Sequence, residues 1–330
     1  MNRRVASAVS WDKALLVLVV LTVVAGSLMN PDFGTASNLG FVVQDIGEVM
    51  LIALPMTLLV MTGEIDLSVA STAALSGCVL GWVWHTSGSM PLACLAALGT
   101  GAVCGAVNGL LVTRLGLGSL AVTIGTLGLY RGLCYALLGD STVADFPSAW
   151  TDLGFSSIPG TPLPYVTPVL VVLAIGFGVV LHLTTLGRWV FGIGQSAQAA
   201  RFAGVPVGAV KFWLFVATGT VSALAGIVYD LRFASARPDG ALGFELAVIA
   251  SVLFGGVSIF GGAGTMWGVV GAVAFLGVLR SLLQLADVPP NGLTIITGGL
   301  LLASVVVPVL AGHWQSFRER RARARRPASS

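Results

Sequence analysis

Apolar runs of membrane length recur along this chain, separated by short breaks of glycine, proline or polar residues. A hydrocarbon core about 30 Å thick asks for roughly 20 apolar residues per helix. The pattern predicts ten such spans, at 14–29, 40–61, 67–84, 92–113, 117–138, 165–183, 212–231, 246–260, 266–283 and 293–310. Sustained period-2 alternation is missing, which excludes a membrane barrel. The predicted fold is therefore all-α, a polytopic integral membrane protein of about ten transmembrane helices. The eighth run is short and ends in Gly255-Gly256, so a full crossing and a re-entrant or broken helix both fit it.

Charge placement orients these spans. An even number of crossings puts both termini on one side, and both are basic, with Arg3, Arg4 and Lys13 at the start and six arginines between Arg318 and Arg326 at the end. The positive-inside rule makes that side cytoplasmic. The same parity places Arg114, Arg188, Arg201 and Lys211 inside, and it places the loop 139–164, which carries Asp140, Asp145 and Asp152 but no Lys or Arg, outside. Residues 1–13 then form a cytoplasmic segment and 14–310 the transmembrane domain, with a cytoplasmic loop at 184–211. The tail 311–330 is basic and suits anionic lipid at the membrane surface rather than nucleic acid. The first run leads into Gly26-Ser27-Leu28-Met29-Asn30-Pro31, which has no small-residue cleavage pattern, and it is expected to stay as a helix.

Composition agrees and removes several function classes. With 56% hydrophobic and 9% charged residues and a mean hydropathy of +0.94, the chain cannot clothe a water-soluble surface. Cys78, Cys94, Cys104 and Cys134 lie inside apolar runs at no metal-like spacing and read as small core residues. His85, His182 and His313 form no metal or nucleophile constellation. There is no Gly-x-x-x-x-Gly-Lys-Ser/Thr phosphate loop and no soluble domain to house one, so no cofactor and no ATP hydrolysis are expected of this chain itself.

Three segments stand out. The stretch 187–207 is the longest moderately polar, basic loop between two apolar runs, and its small residues, such as Ala199 and Ala200, allow close approach of another backbone. It reads as a docking element for a cytoplasmic partner, with Gly192 and Ala200 facing water. An amphipathic connector lying on the bilayer is the alternative. Around the second span, Glu64 and Asp66 fall at the cytoplasmic end within reach of water, and Asp45 and Glu48 near the outer end, where a charge costs less than at the bilayer centre. The cluster Gly255, Gly256, Gly261, Gly262 and Gly264 is too dense for an uninterrupted helix and predicts a tight cytoplasmic turn, acting as a hinge or simply closing a helical hairpin. The series Gly101-x-x-x-Gly105-x-x-x-Gly109 is a helix-packing signal.

Two polar stripes are candidates for a solute path. Gln44 and Glu48 share a helix face with Asp45 beside them, and Thr123, Thr126 and Tyr130 follow at spacings of three and four. Interhelical hydrogen bonds that merely hold the bundle would use the same residues.

The order and spacing of Gly63-Glu64-Ile65-Asp66-Leu67-Ser68-Val69, of Leu186-Gly187-Arg188 followed by Gly192, Gln195 and Ala199-Ala200, and of the glycine-rich 255–265 segment resemble the ribose-type permeases of bacterial ABC importers. Within these, the chain is most similar to the permeases of autoinducer 2 import systems, with rhamnose and ribose permeases close. Glu64 departs from many such permeases, which carry glycine there. The resemblance implies a subunit of the bacterial inner membrane that pairs with a second permease, identical or paralogous. It also implies two ATP-binding cassette subunits that hold ATP and magnesium, and an extracytoplasmic binding protein that delivers a small sugar or sugar-like solute. Gly187, Arg188, Gly192, Gln195, Ala199 and Ala200 would then couple to the ATPase, with Glu64, Asp66, Gly255, Gly256, Gly261 and Gly262 as hinge or turn positions. A secondary transporter of a small polar solute is the alternative, and it would show paired broken helices and a coupling-ion site.

Overall fold

The computed structural model describes residues 2–289 together with 291–292, 295–296, 298–299, 302 and 306. Among them are twelve named helices: α1 (Asn2–Met29), α2 (Ala36–Met61), α3 (Val69–Ser87), α4 (Met90–Thr113), α5 (Ser119–Leu138), α6 (Ser148–Phe155), α7 (Val166–Leu183), α8 (Thr185–Gln195), α9 (Ala197–Phe202), α10 (Val207–Arg232), α11 (Phe244–Phe254) and α12 (Met266–Leu285). The extended backbone pairs only in isolated bridges, Val143 with Ala236 and Ser157 with Pro164.

Seven of these helices are long and apolar enough to cross a membrane: α1 from Trp11, α2, α4, α5, α7, α10 and α12. α3 occupies the expected third span without being among the seven, and α11 has 11 residues, about half a hydrocarbon core at 1.5 Å per residue. Most of the expected span at 293–310 and the whole basic tail 311–330 lie outside the described residues.

α2 is the axis. Every residue from Met50 to Met61 is buried, as befits a helix that is apolar all round. It packs on α7, α10, α11 and α12, while α5 sits apart on α3 and α4. α1 leans on α12 with only 11% of its apolar window buried, leaving its other face for lipid.

Without a hydrophobic drive between helices in lipid, close backbone approach must hold the bundle. The glycine series on α4 does this. A Cβ on Gly105 would reach 2.9 Å from the Phe215 carbonyl carbon, and one on Gly219 would come 2.8 Å from the Gly105 nitrogen. α10 meets α3 in the same way, with Gly226 against the backbone of Ala73 and Gly77 beneath the Asp230 carboxyl. α6, in the long 139–164 loop, lays Gly154 on the backbone at Leu231 and Arg232.

Candidate functional site

The 184–211 element is two short helices rather than an open loop. Thr184 caps α8 by accepting from Gly187 N, and Ser196 caps α9 by accepting from Ala199 N at 3.1 Å. This is the ordinary reason a Ser or Thr stands just before a helix. α8 buries Gly187, Val190 and Ile193 against the bundle, so its spacing of three fixes which face turns inward.

At its end α8 touches the other two glycine-bearing segments. Gly194 lies on the Met61 carbonyl and on Gly262, so closely that a Cβ there would overlap both. Gly262 N in turn donates to Met61 O at 2.9 Å. Gly261 and Gly262 have φ of 81° and 72°, and Gly63, just past α2, has φ of 83°, all in the left-handed region that a side chain makes costly. The three segments that sequence set apart, at 63–69, 187–207 and 255–265, therefore meet at one end of α2.

The turn after α2 is wired in two directions. Glu64 pairs with Lys211, in the first turns of α10, and each side chain is 15% exposed. Ile65 N donates to Ser119 Oγ at 3.3 Å, and Thr123 Oγ1 donates to Ile65 O at 3.3 Å, which fixes the turn to α5. Asp66 accepts from Ser68 N at 2.8 Å, from Ser68 Oγ at 2.6 Å and from Asn108 Nδ2 of α4 at 3.3 Å. Burial pushes the Asp66 carboxyl above the ordinary carboxylate range, against the lowering effect of the Ser68 and Asn108 hydrogen bonds.

The glycine turn is pinned from its far side by α1 and α7. Trp11 Nε1 donates to Phe254 O at 2.8 Å, Thr265 Oγ1 donates to Asp12 Oδ1 at 2.7 Å, and Met266 N donates to His182 Nε2 at 3.3 Å.

The expected coupling residues divide. Arg188 and Gln195 are exposed, and among the described residues Arg188 bonds only to Thr185, at 3.1 Å. Ala199 is exposed, and Gly192 has open space where a side chain would go. Gly187 is buried against α7. Ala200 is also buried, at 6% exposure, which corrects the expectation that it faces water: one turn of α9 has to rest on the core, and Ala200 is the position that does. Asp66 needs a similar correction, since at 1% exposure it is out of reach of water. Gly255 packs on the Val269 backbone and Gly256 on the Trp11 ring.

The two polar stripes are not brought together. Gln44 Nε2 donates to Gly154 O at 2.9 Å. Arg232, at the far end of α10, donates to Glu48 Oε1 at 3.2 Å and lies 3.4 Å from Asp45, whose other oxygen is 3.6 Å from Arg280. Glu48 is 1% exposed, so this pair is the reason its charge can be there. On α5, Thr123 also donates to Ser119 O at 2.8 Å, Thr126 to Thr123 O at 3.4 Å, and Tyr130 OH to Cys104 O at 3.0 Å.

Sequence reasoning used Lys211 only to set topology and assigned no partner to Arg232, Asn108 or Gly194. A signal existed for the first two, because an Arg or Lys near the end of an apolar run commonly pairs with a carboxylate at a neighbouring helix end. For Gly194, nothing in the local sequence says what it faces.

A family model described as branched-chain amino acid transport system / permease component matches residues 38–305. The autoinducer 2 import system permease protein LsrD of Escherichia coli (strain K12) is 34% identical over 315 residues, covering 94% of this chain and 95% of that protein. The protein of that name from Salmonella typhimurium (strain LT2) is 33% identical over 303 residues, covering 90% and 91%. No solved structure matches the chain.

Proposed function

Because this chain belongs to the branched-chain amino acid transport system / permease component family, we propose that it is the membrane-crossing subunit of an ATP-binding cassette importer for autoinducer 2 or a similar small sugar-like solute. It sits in the bacterial inner membrane with ten crossings and both termini in the cytoplasm. A second permease copy or paralogue completes the pathway. Two ATP-binding subunits carry ATP and magnesium, and an extracytoplasmic binding protein presents the solute.

The observation that carries this reading is the meeting of Gly194 with Met61 and Gly262. It rests the α8–α9 element on the end of the most buried helix while Arg188, Gly192, Gln195 and Ala199 stay open to a cytoplasmic partner. Gly187 and Ala200 seat the element on the bundle, and the turns holding Glu64, Asp66, Gly255, Gly256, Gly261 and Gly262 yield as the permease alternates between inward- and outward-facing states. Nucleotide supplies the bias between those states. Gln44, Glu48, Thr123, Thr126 and Tyr130, whose polar atoms are bonded internally, serve the bundle, and Asp45, 32% exposed, is the member of the two stripes best placed to meet a solute.

The test is uptake of radiolabelled autoinducer 2 into proteoliposomes holding this chain with its co-encoded ATP-binding subunit and binding protein. ATP-dependent accumulation is expected. Uptake by the chain alone on an ion gradient would replace this reading with a secondary transporter.

A further inference from the structure

We propose that the Glu64–Lys211 ion pair is the tether through which the α8–α9 element pulls on the helices around the pathway, so that it is needed for coupling ATP hydrolysis to transport rather than for assembly. The inference rests on the function proposed above and names residues that do the coupling within this chain.

Besides the shared apolar core, two contacts join the 184–211 element to the end of α2 and the turn after it. The first is Gly194 on Met61 and Gly262, a contact between backbones with no side chain interposed. Such a contact resists compression steeply and resists separation hardly at all, because dispersion attraction between a few atoms is small. It transmits a push. The second is Lys211 with Glu64, which among the described residues is the sole ion pair made by 184–211. Opposite charges resist separation over several ångströms, and at 15% exposure for each side chain the attraction is less screened than on an open surface. It transmits a pull. A cycle that must return to its starting state needs both.

The far side of the pair is built to pass the pull on. Glu64 is followed directly by Ile65, whose N–H and carbonyl are both bonded to α5, and then by Asp66, bonded to Asn108 on α4. No flexible residue intervenes. Gly63, on the other side of Glu64, has φ of 83°. Gly63 N donates to Val60 O at 2.9 Å and Glu64 N to Leu59 O at 3.4 Å, so the turn is held to the last turn of α2 as well. The turn therefore ties the end of α2 to α4 and α5. Displacement of Lys211 would pull on the junction of α2, α4 and α5 at once.

The experiment uses the complex of this chain with its ATP-binding subunit, reconstituted with the co-encoded binding protein, and reads autoinducer 2 taken up per ATP hydrolysed. Glu64→Gln and Lys211→Met should retain the ATP-binding subunit on purification and hydrolyse ATP within about twofold of wild type, while uptake per ATP falls roughly tenfold. Lys211→Arg and the exchange Glu64→Lys/Lys211→Glu, which keep an opposite pair, should recover it to within about threefold. The inference is overturned if the neutral variants keep wild-type uptake per ATP, or if the exchange and Lys211→Arg stay as low as the neutral variants, since the loss would then be local damage. Absence of the ATP-binding subunit from the wild-type preparation would instead remove the underlying function, and this inference with it.

Discussion

Where α2 ends, the Met61 carbonyl takes a hydrogen bond from Gly262 and has Gly194 leaning on it; toward the middle of α2, Asp45 and Glu48 meet Arg232 and Arg280. Both regions join α2 to neighbouring elements, yet they fail differently. A backbone contact of van der Waals range loses about a quarter to a half of its attraction within an ångström, whereas the energy of an ion pair falls only with the inverse of distance. The glycine end therefore registers small displacements, and the charged middle tolerates them. That division would suit the proposed importer, in which α8 responds to a cytoplasmic partner.

The comparison breaks most readily at the charged middle of α2. Arg232→Met would leave Glu48 buried without a partner, and loss of one member of a buried pair costs about 3–5 kcal/mol. The purified variant should melt well below wild type, and Arg232→Met/Glu48→Met should regain most of the loss. Equal melting of the single variant and wild type would mean that the charges do not hold that region. At the glycine end, Gly194→Val forces a branched side chain against the Met61 carbonyl and should cost about 1–3 kcal/mol through overpacking, with uptake falling at least in proportion.

Asn108→Leu sharpens the contrast between the glycine contact and the polar turn beside it. It strips Asp66 and Ser68 of a buried donor and should cost about 1–2 kcal/mol. Its pH signature follows from the raised Asp66 carboxyl: the folded state holds that proton more tightly than the unfolded chain. Stability is therefore greatest below the ordinary carboxylate pKa and declines as pH climbs toward the raised one. Removing the Asn108 hydrogen bond, which lowers the Asp66 pKa, should extend that decline to higher pH in melting curves. The smallest effect on stability is expected from Gly192→Trp or Ala199→Arg, within about 0.5 kcal/mol at such open positions. Both should nevertheless lose the ATP-binding subunit on purification, and if both retain it with normal uptake, the α8–α9 surface is not the docking face.

Much of this was legible along the chain, for a physical reason. Apolar runs and glycine spacing are local properties, so α2, α4, α7 and α10 were expected within a few residues of where they lie, and Gly101, Gly105 and Gly109 do pack α4 on α10. The three segments at 63–69, 187–207 and 255–265 could also be picked out, by polarity and glycine density. What each one faces was not legible, because facing is decided by register between distant elements. Glu64 and Asp66 look alike in sequence, but the turn at Gly63 sends one to Lys211 and the other to Asn108. Ala199 and Ala200 are neighbours of the same kind, and a six-residue helix turns only the second inward.

The glycine seam between α4 and α10 has a consequence for biosynthesis. Gly105 leaves the ribosome about 110 residues before Gly219, its partner, an interval of roughly 6–20 seconds at ordinary elongation rates. Through that interval the grooved face of α4 is in the membrane without its proper neighbour, open to lipid, to a chaperone or to another nascent helix with a small-residue face. Codon choice or an insertase acting between α5 and α10 could thus govern the yield of correctly assembled protein without altering a single residue.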